Sequence, residues 1–350
     1  NHPFVLFNLG MTHSCAHQYQ EAIDFLRRCI DVSSPEQSHV RKAYALLVHA
    51  QHRCNQHERA WQLCEAALKL FPDDRELLFR SAVLHHHFGR LKEAENTYLR
   101  LLDGPEEARH FTSIDMGIAG FKARNNLAAV YSEMGLWKEA ETQWRQVLQE
   151  NPGYKPAWQL LGNMLIQQGL DQETEVLVGR LKADSELRAV GSVISAKLSE
   201  RRGAIAEARR ELEAAVREPG NGNDPEALQE LCRLLFVHGT PEETEPALRE
   251  LLSKDSEDAA TYHNLGTTYL RMGRRHDAKD AFRRSLELRP GFPLTALQFG
   301  EALKADGDVA QAIEVWKQSL RTSPDDPLLT AALRRTCSAS TQDSCTEESD

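Results

Sequence analysis

Histidine is the chemically reactive side chain with the most uneven distribution in this sequence. His85, His86 and His87 follow one another, and His49 and His52 are one helical turn apart. Neutral imidazoles bind transition metals, and protonated imidazoles attract anionic groups. No carboxylate or cysteine joins the set at ligand spacing. The pattern therefore favours a solvated polar surface, with an anion-binding groove and a metal site as the alternatives.

The familiar catalytic motifs are missing from the sequence. It contains no G-x-x-x-x-G-K phosphate loop, no G-x-S-x-G nucleophile elbow, no H-E-x-x-H zinc motif and no glycine-rich dinucleotide loop. The sequence therefore predicts no catalytic residue, no bound metal and no cofactor within residues 1–350. A stand-alone enzyme is the least favoured class of function.

The elements that must position the histidines follow from a regular spacing of small residues. Glycines recur 34 residues apart in two series, from Gly135 to Gly203 and from Gly239 to Gly307. An alanine follows several of them by five residues: Ala140, Ala208, Ala278 and Ala312. A period near 34 residues with helical patterning predicts stacked helix–turn–helix units.

One unit, residues 259–290, shows the pattern in full. Its first helix carries one apolar face, Gly273 ends that helix, and a second helix begins near Asp277. Small residues, Gly266 and Ala278, are expected where the two helices approach closely. The remaining positions of the pattern are Tyr262, Leu265, Tyr269, Phe282, Leu286 and Pro290.

These residues resemble the tetratricopeptide repeat, whose pattern is an aromatic residue, Leu-Gly, Tyr, Ala, an aromatic residue and Pro. About nine copies are recognised between Pro3 and Pro324, of which those at residues 189–219 and 225–256 are degenerate. The resemblance implies an all-α, right-handed superhelical solenoid. It also implies an interaction scaffold that binds a protein or peptide partner in its concave groove.

In the repeat frame, the first helices of the early copies carry the polar groove residues. An acidic partner is favoured, because two arginines concentrate positive charge in a protein of net charge −10. Binding is expected to strengthen from pH 7.5 to 6 as histidines near a pKa of about 6.5 gain protons. The candidate partner-binding residues are His49, His52, Arg53, Arg80, His86, His87, Asn125 and Asn126.

The resemblance also suggests a test for a carboxylate clamp, which some tetratricopeptide domains build from lysines and asparagines. Lys122, Asn125 and Asn126 occur together on one first helix. The lysines expected on the following repeat are replaced by Pro156 and Gln159. A clamp of that type is therefore disfavoured.

Two departures from the period set the predicted domain boundaries. The repeat solenoid is assigned to residues 1–336, with an insertion at about 103–122 that is either a longer connection or a partner-binding element. Its last repeat is expected to be covered by a capping helix at about 328–335. Residues 337–350 are polar and acidic, which predicts a disordered tail.

A second resemblance is narrower. Residues 2–11, 38–47 and 109–131 are similar to the repeat region that follows a family 2 glycosyltransferase domain in some bacterial proteins. The chain opens on Asn1 directly before a repeat, so it is either trimmed or a piece of a longer protein. The alternative function is therefore an accessory region of a glycosyltransferase. The sequence contains no nucleotide-sugar site that would carry such an activity itself.

Composition limits the partners and the location. The net charge of −10 argues against nucleic acid or an anionic membrane as the main partner. No apolar run is long enough to span a membrane. Seven cysteines without C-x-x-C spacing are read as reduced thiols, which predicts a cytoplasmic protein. The sequence leaves the oligomeric state open.

Overall fold

A computed structural model describes residues 2–104, 117–217, 225–323 and 326–346, with side chains up to residue 336. In these residues every regular element is a helix, which confirms the all-α prediction. The helices are α1 Pro3–Cys15, α2 Tyr19–Asp31, α3 Ser38–Arg53, α4 His57–Leu70, α5 Arg75–His87, α6 Leu91–Asp103, α7 Phe121–Glu133, α8 Trp137–Glu150, α9 Lys155–Gln167, α10 Asp171–Ala183, α11 Arg188–Arg201, α12 Ile205–Arg217, α13 Pro225–His238, α14 Pro241–Lys254, α15 Ala259–Arg271, α16 Arg275–Leu288, α17 Pro293–Ala305, α18 Val309–Thr322 and α19 Pro327–Thr346.

The described helices form nine consecutive pairs followed by α19, as an all-α repeat solenoid requires. They divide into two compact units, Asn1–Glu173 and Thr174–Asp350. Within the first unit, each first helix from α1 through α7 contacts its own second helix and also the first helix of the next pair. The first helices therefore lie side by side and present a common surface.

Small residues allow the close approach within a pair, as the repeat pattern predicts. A Cβ atom placed on Gly266 of α15 would lie 2.6 Å from the ring of Phe282 on α16. Gly300 of α17 has the same relation to the indole of Trp316 on α18, and both aromatic side chains are fully buried. These contacts form the core of the second unit, while Leu6, Leu26 and Leu47 belong to that of the first.

The turn inside each pair explains the glycine series. Six glycines, including Gly203 and Gly273, adopt positive φ angles between 69° and 89° after a first helix. His17 and Asn55 take this left-handed conformation in the first two pairs, with φ near 60°. Gly239 does not adopt the left-handed conformation. At its turn, Thr240 and Glu243 form a capping box that starts α14.

The two irregular regions agree with the sequence only in part. Residues 105–116 of the expected insertion lie outside the described residues, and α7 already begins at Phe121. The last helix, α19, runs to Thr346 instead of ending near residue 335, since residues 336–346 contain neither proline nor glycine to stop it. The predicted disordered tail thus overlaps this helix over 337–346, and residues 347–350 lie outside the description.

Candidate functional site

The structure gathers the candidate residues onto three neighbouring first helices of the first unit. Three of the candidate residues lie on helix α3, three lie on α5, and the two asparagines lie on α7. Helix α3 contacts α5, and α5 contacts α7. We call this surface the α3–α5–α7 face. Its eight residues are His49, His52, Arg53, Arg80, His86, His87, Asn125 and Asn126.

The two arginines of this face lie against aromatic rings. The guanidinium of Arg53 is 5.4 Å from the ring centroid of Tyr19, and that of Arg80 is 5.6 Å from that of Phe79. Arg53 is exposed and Arg80 is half-buried. Stacking on a ring restrains a guanidinium without neutralising it, so both side chains keep their positive charge.

The electrostatic effect of these charges is visible in the neighbouring imidazoles. Burial, Arg80 and Arg53 together lower the pKa of His49 to about 3. The pKa of His52 is lowered to about 4, first by burial, then by His57 and His87, and then by the same two arginines. Both imidazoles are consequently neutral above pH 6. The expectation that His49 and His52 would gain charge between pH 7.5 and 6 is wrong, because it used the pKa of an exposed histidine.

Three imidazoles meet where α3 and α5 end and α4 begins. The Nδ1 atoms of His52 and His57 are 3.1 Å apart. The ring of His87 lies 3.8 Å from that of His57 and 5.6 Å from that of His52, measured between centroids. Sequence reasoning missed His57, because its position across the turn depends on how α4 folds back on α3. The left-handed Asn55 that makes this turn was the available signal.

The remaining candidates are less accessible than the sequence suggests. His86 Nε2 lies 2.9 Å from Glu133 Oε1 on α7, so a carboxylate of the protein already occupies that position. Asn125 is only 6% exposed, and its amide donates to Asn126 Oδ1 at 3.5 Å. Of the eight residues of the α3–α5–α7 face, Arg53 and His87 are exposed and Asn125 is buried, while the other five are half-buried.

In the described part of the chain, no group of three or more His, Cys, Asp or Glu side chains is arranged to hold a metal ion. The observed geometry of the imidazoles is instead that of ring stacking and hydrogen bonding.

Comparison with known families identifies the class of the protein. Tetratricopeptide repeat profiles match residues 192–324, residues 53–108, and residues 8–33 and 122–150. These matches agree with the nine helix pairs and their glycine turns. The chain belongs to the tetratricopeptide repeat family, whose helix pairs form scaffolds for protein interaction.

Individual relatives are distant. BBSome complex member BBS4 from Mus musculus is 27% identical over 106 residues, which are 30% of this chain and 20% of that protein. The yeast Tom70 structure covers 97% of this chain and 96% of its own, with a TM-score of 0.49 and 11% identity. PilW, a type IV pilus biogenesis factor, covers 61% of this chain and 98% of its own, with a TM-score of 0.47 and 17% identity. The match thus spans about a fifth of the curated relative's length.

The helices were also compared with the dimensions of a bilayer. Among the residues that the structure describes, none of the helices has both the length and the apolar character needed to cross a membrane.

Proposed function

We propose that this protein is an interaction scaffold that holds an acidic segment of a protein partner on its α3–α5–α7 face. The observation that supports it is the position of Arg53 and Arg80 on the neighbouring first helices α3 and α5, where their guanidinium groups lie against the rings of Tyr19 and Phe79. Burial is the main cause of the lowered pKa values of His49 and His52, and the two arginines add to it. A surface whose cations disfavour further protons carries a positive potential. That potential attracts carboxylates in a protein whose net charge is −10.

The geometry of the face suits an extended or helical segment better than a small molecule. The first helices lie side by side, so the binding groups are distributed along a surface and not around a cavity. Glu133 Oε1 lies 2.9 Å from His86 Nε2, so one carboxylate of the chain already contacts this face. A partner carboxylate would engage Arg53 and Arg80 in the same manner.

We infer that the protein is cytoplasmic and that the residues of this chain bind a partner without catalysing a reaction. Burial raises the pKa of the thiols of Cys64 and Cys232 to about 12, so both are unreactive thiols at physiological pH. The cysteines with described side chains are all free. The alternative, an accessory region of a glycosyltransferase, rests on the sequence resemblance alone.

The test compares two double variants of equal net charge. A fluorescein-labelled peptide of ten residues, rich in glutamate, is titrated with the parent protein, with Arg53→Gln/Arg80→Gln, and with Arg27→Gln/Arg59→Gln. Arg27 and Arg59 are exposed cations on the second helices α2 and α4 of the same unit. The control therefore removes the same charge from the opposite side of the helix pairs.

We expect the first variant to bind about fivefold more weakly for each arginine removed, which corresponds to about 1 kcal/mol per close charge pair in water. The control should change the affinity much less, and added salt should weaken binding by the parent. A glutamine-rich peptide of the same length should bind poorly. Equal losses in the two double variants would show that only net charge matters and would refute a site on the α3–α5–α7 face.

A further inference from the structure

The sixth helix pair, α11 and α12, carries serine at three positions of its first helix where another pair has large side chains. Its turn glycine, Gly203, corresponds to Gly273 of the pair α15 and α16, since both have the same left-handed conformation. Counting back from these glycines places three serines of α11 at the positions of three large residues of α15. Ser192, Ser195 and Ser199 stand where α15 has Tyr262, Leu265 and Tyr269.

An open cavity of about 850 Å³ lies along α11 and α12 beside two of these serines, Ser192 and Ser195, within the second unit. Ser192 and Ser195 line it from α11, and Ala214 and Ala215 line it from α12. In the pair α15 and α16 the corresponding Leu265 is 6% exposed and belongs to the core. Replacing a large core residue by a small one commonly lowers the free energy of unfolding by about 2–5 kcal/mol, so the serines provide less stabilising packing than large residues would. Positions that break the local rules of a fold are expected at functional sites.

The lining of the cavity is positively charged. Four cationic side chains converge on it from three helices: Lys182 on α10, Arg188 on α11, and Arg210 and Arg217 on α12. The carboxylates in the lining are Glu207 and Glu211, so the described lining has a net charge of +2. Glu211 forms an ion pair with Lys182 across the cavity. Burial lowers the pKa of Lys182, and an added anion would stabilise its charged form.

The uncharged part of the lining narrows the class of ligand. The described lining contains no aromatic and no branched aliphatic side chain, so it offers no aromatic surface for a nucleobase. Serine hydroxyls and glutamate carboxylates are partners for the hydroxyl groups of a ligand. Guanidinium groups match the oxygens of a phosphate. We propose that this cavity binds a small phosphorylated polyol, with the phosphate at the arginines and the hydroxyls at the serines and glutamates.

This site is separate from the α3–α5–α7 face, and neither proposal depends on the other. The phosphate dianion of a monoester compensates the +2 charge of the lining. The position of the cavity also gives a reason for the degenerate sixth repeat: the pair retains its turn glycine, Ala208 and buried Leu212 but has serine at three positions of α11.

The experiment is isothermal titration calorimetry of the full chain with glucose 6-phosphate, with glucose and inorganic phosphate as partial probes. Ser195→Leu places the residue found in α15 at the wall of the cavity, where it removes one hydroxyl and narrows the space, so it should keep or raise the melting temperature. Arg210→Gln removes one lining charge from an exposed position, which leaves folding intact. Arg283→Gln on α16 is the matched control, an exposed arginine of the same unit outside the cavity.

We expect saturable binding of glucose 6-phosphate, weaker binding of phosphate and no measurable binding of glucose. Ser195→Leu and Arg210→Gln should each weaken binding by about tenfold or more, as expected for losing the space or a charged hydrogen bond, and Arg283→Gln should not change it. Unchanged binding in Ser195→Leu and Arg210→Gln would overturn the proposal. So would equal binding of glucose and glucose 6-phosphate, or the absence of saturable binding by the parent below about 10 mM.

Discussion

The half-buried imidazole of His49 should make the first unit sensitive to acid, and the structure sets the direction and size of the effect. Its pKa in the folded protein is lowered to about 3, against about 6.5 in the unfolded chain. Above pH 6.5 neither state binds a proton, and the full stability is present. As the pH falls below 6.5, the unfolded chain gains a proton that the folded protein refuses, so stability is lost.

The magnitude at pH 5.0 depends mainly on the unfolded-state pKa, because the folded-state value lies well below 5. The interval of about 1.5 pH units between 6.5 and 5.0 corresponds to about 2 kcal/mol of unfolding free energy. His52, with a folded-state pKa of about 4, contributes in the same direction. These losses add to any change in carboxylate protonation, so the parent has to be compared with a variant at both pH values.

The perturbation is His49→Gln, which keeps a polar side chain but cannot be protonated. Urea unfolding followed by circular dichroism gives the free energy of unfolding at pH 7.5 and 5.0. We expect the loss between these pH values to be about 2 kcal/mol smaller in His49→Gln than in the parent. The control is His276→Gln on α16, which removes an exposed imidazole whose side chain is 87% accessible and measures the effect of a histidine-to-glutamine change by itself.

The reasoning would be refuted if His49→Gln lost as much stability as the parent between pH 7.5 and 5.0. An independent readout is the NMR titration of the His49 ring in the folded protein. Its chemical shifts should stay constant over that range, and a midpoint near 6.5 would contradict the burial and the arginine effect together.

Three further predictions concern the repeat array. Gly300→Ala should destabilise the second unit by about 1–3 kcal/mol in urea unfolding, because the added Cβ meets the buried indole of Trp316; an unchanged midpoint would contradict this packing. Thr240→Ala should cost about 1 kcal/mol by removing the capping box of α14, whereas Thr240→Ser should retain most of it. In hydrogen exchange, amides of residues 181–237 should exchange faster than those of residues 262–288, since the serines of the sixth pair weaken local packing. Slower exchange in 181–237 would refute that idea.

Much of the candidate site could be placed on its elements in advance. The repeat frame assigned His49, His52 and Arg53 to one first helix and Arg80, His86 and His87 to the next, and α3 and α5 carry them. This succeeded because a helix position follows from local spacing alone. The frame did not reveal that Asn125 is buried or that Glu133 lies beside His86, since both depend on the packing of α5 against α7.

The sequence by itself determined the repeat family, the helix pairs and the turns between them. These depend on interactions within about 34 residues, such as Gly266 against Phe282, and each repeat encodes them locally. Only the tertiary structure decided the protonation of His49, the meeting of His52 with His57 and His87, and the cavity beside Ser192. Burial, electrostatic potential and empty volume are sums over neighbours from several helices, so no single segment of the sequence contains them.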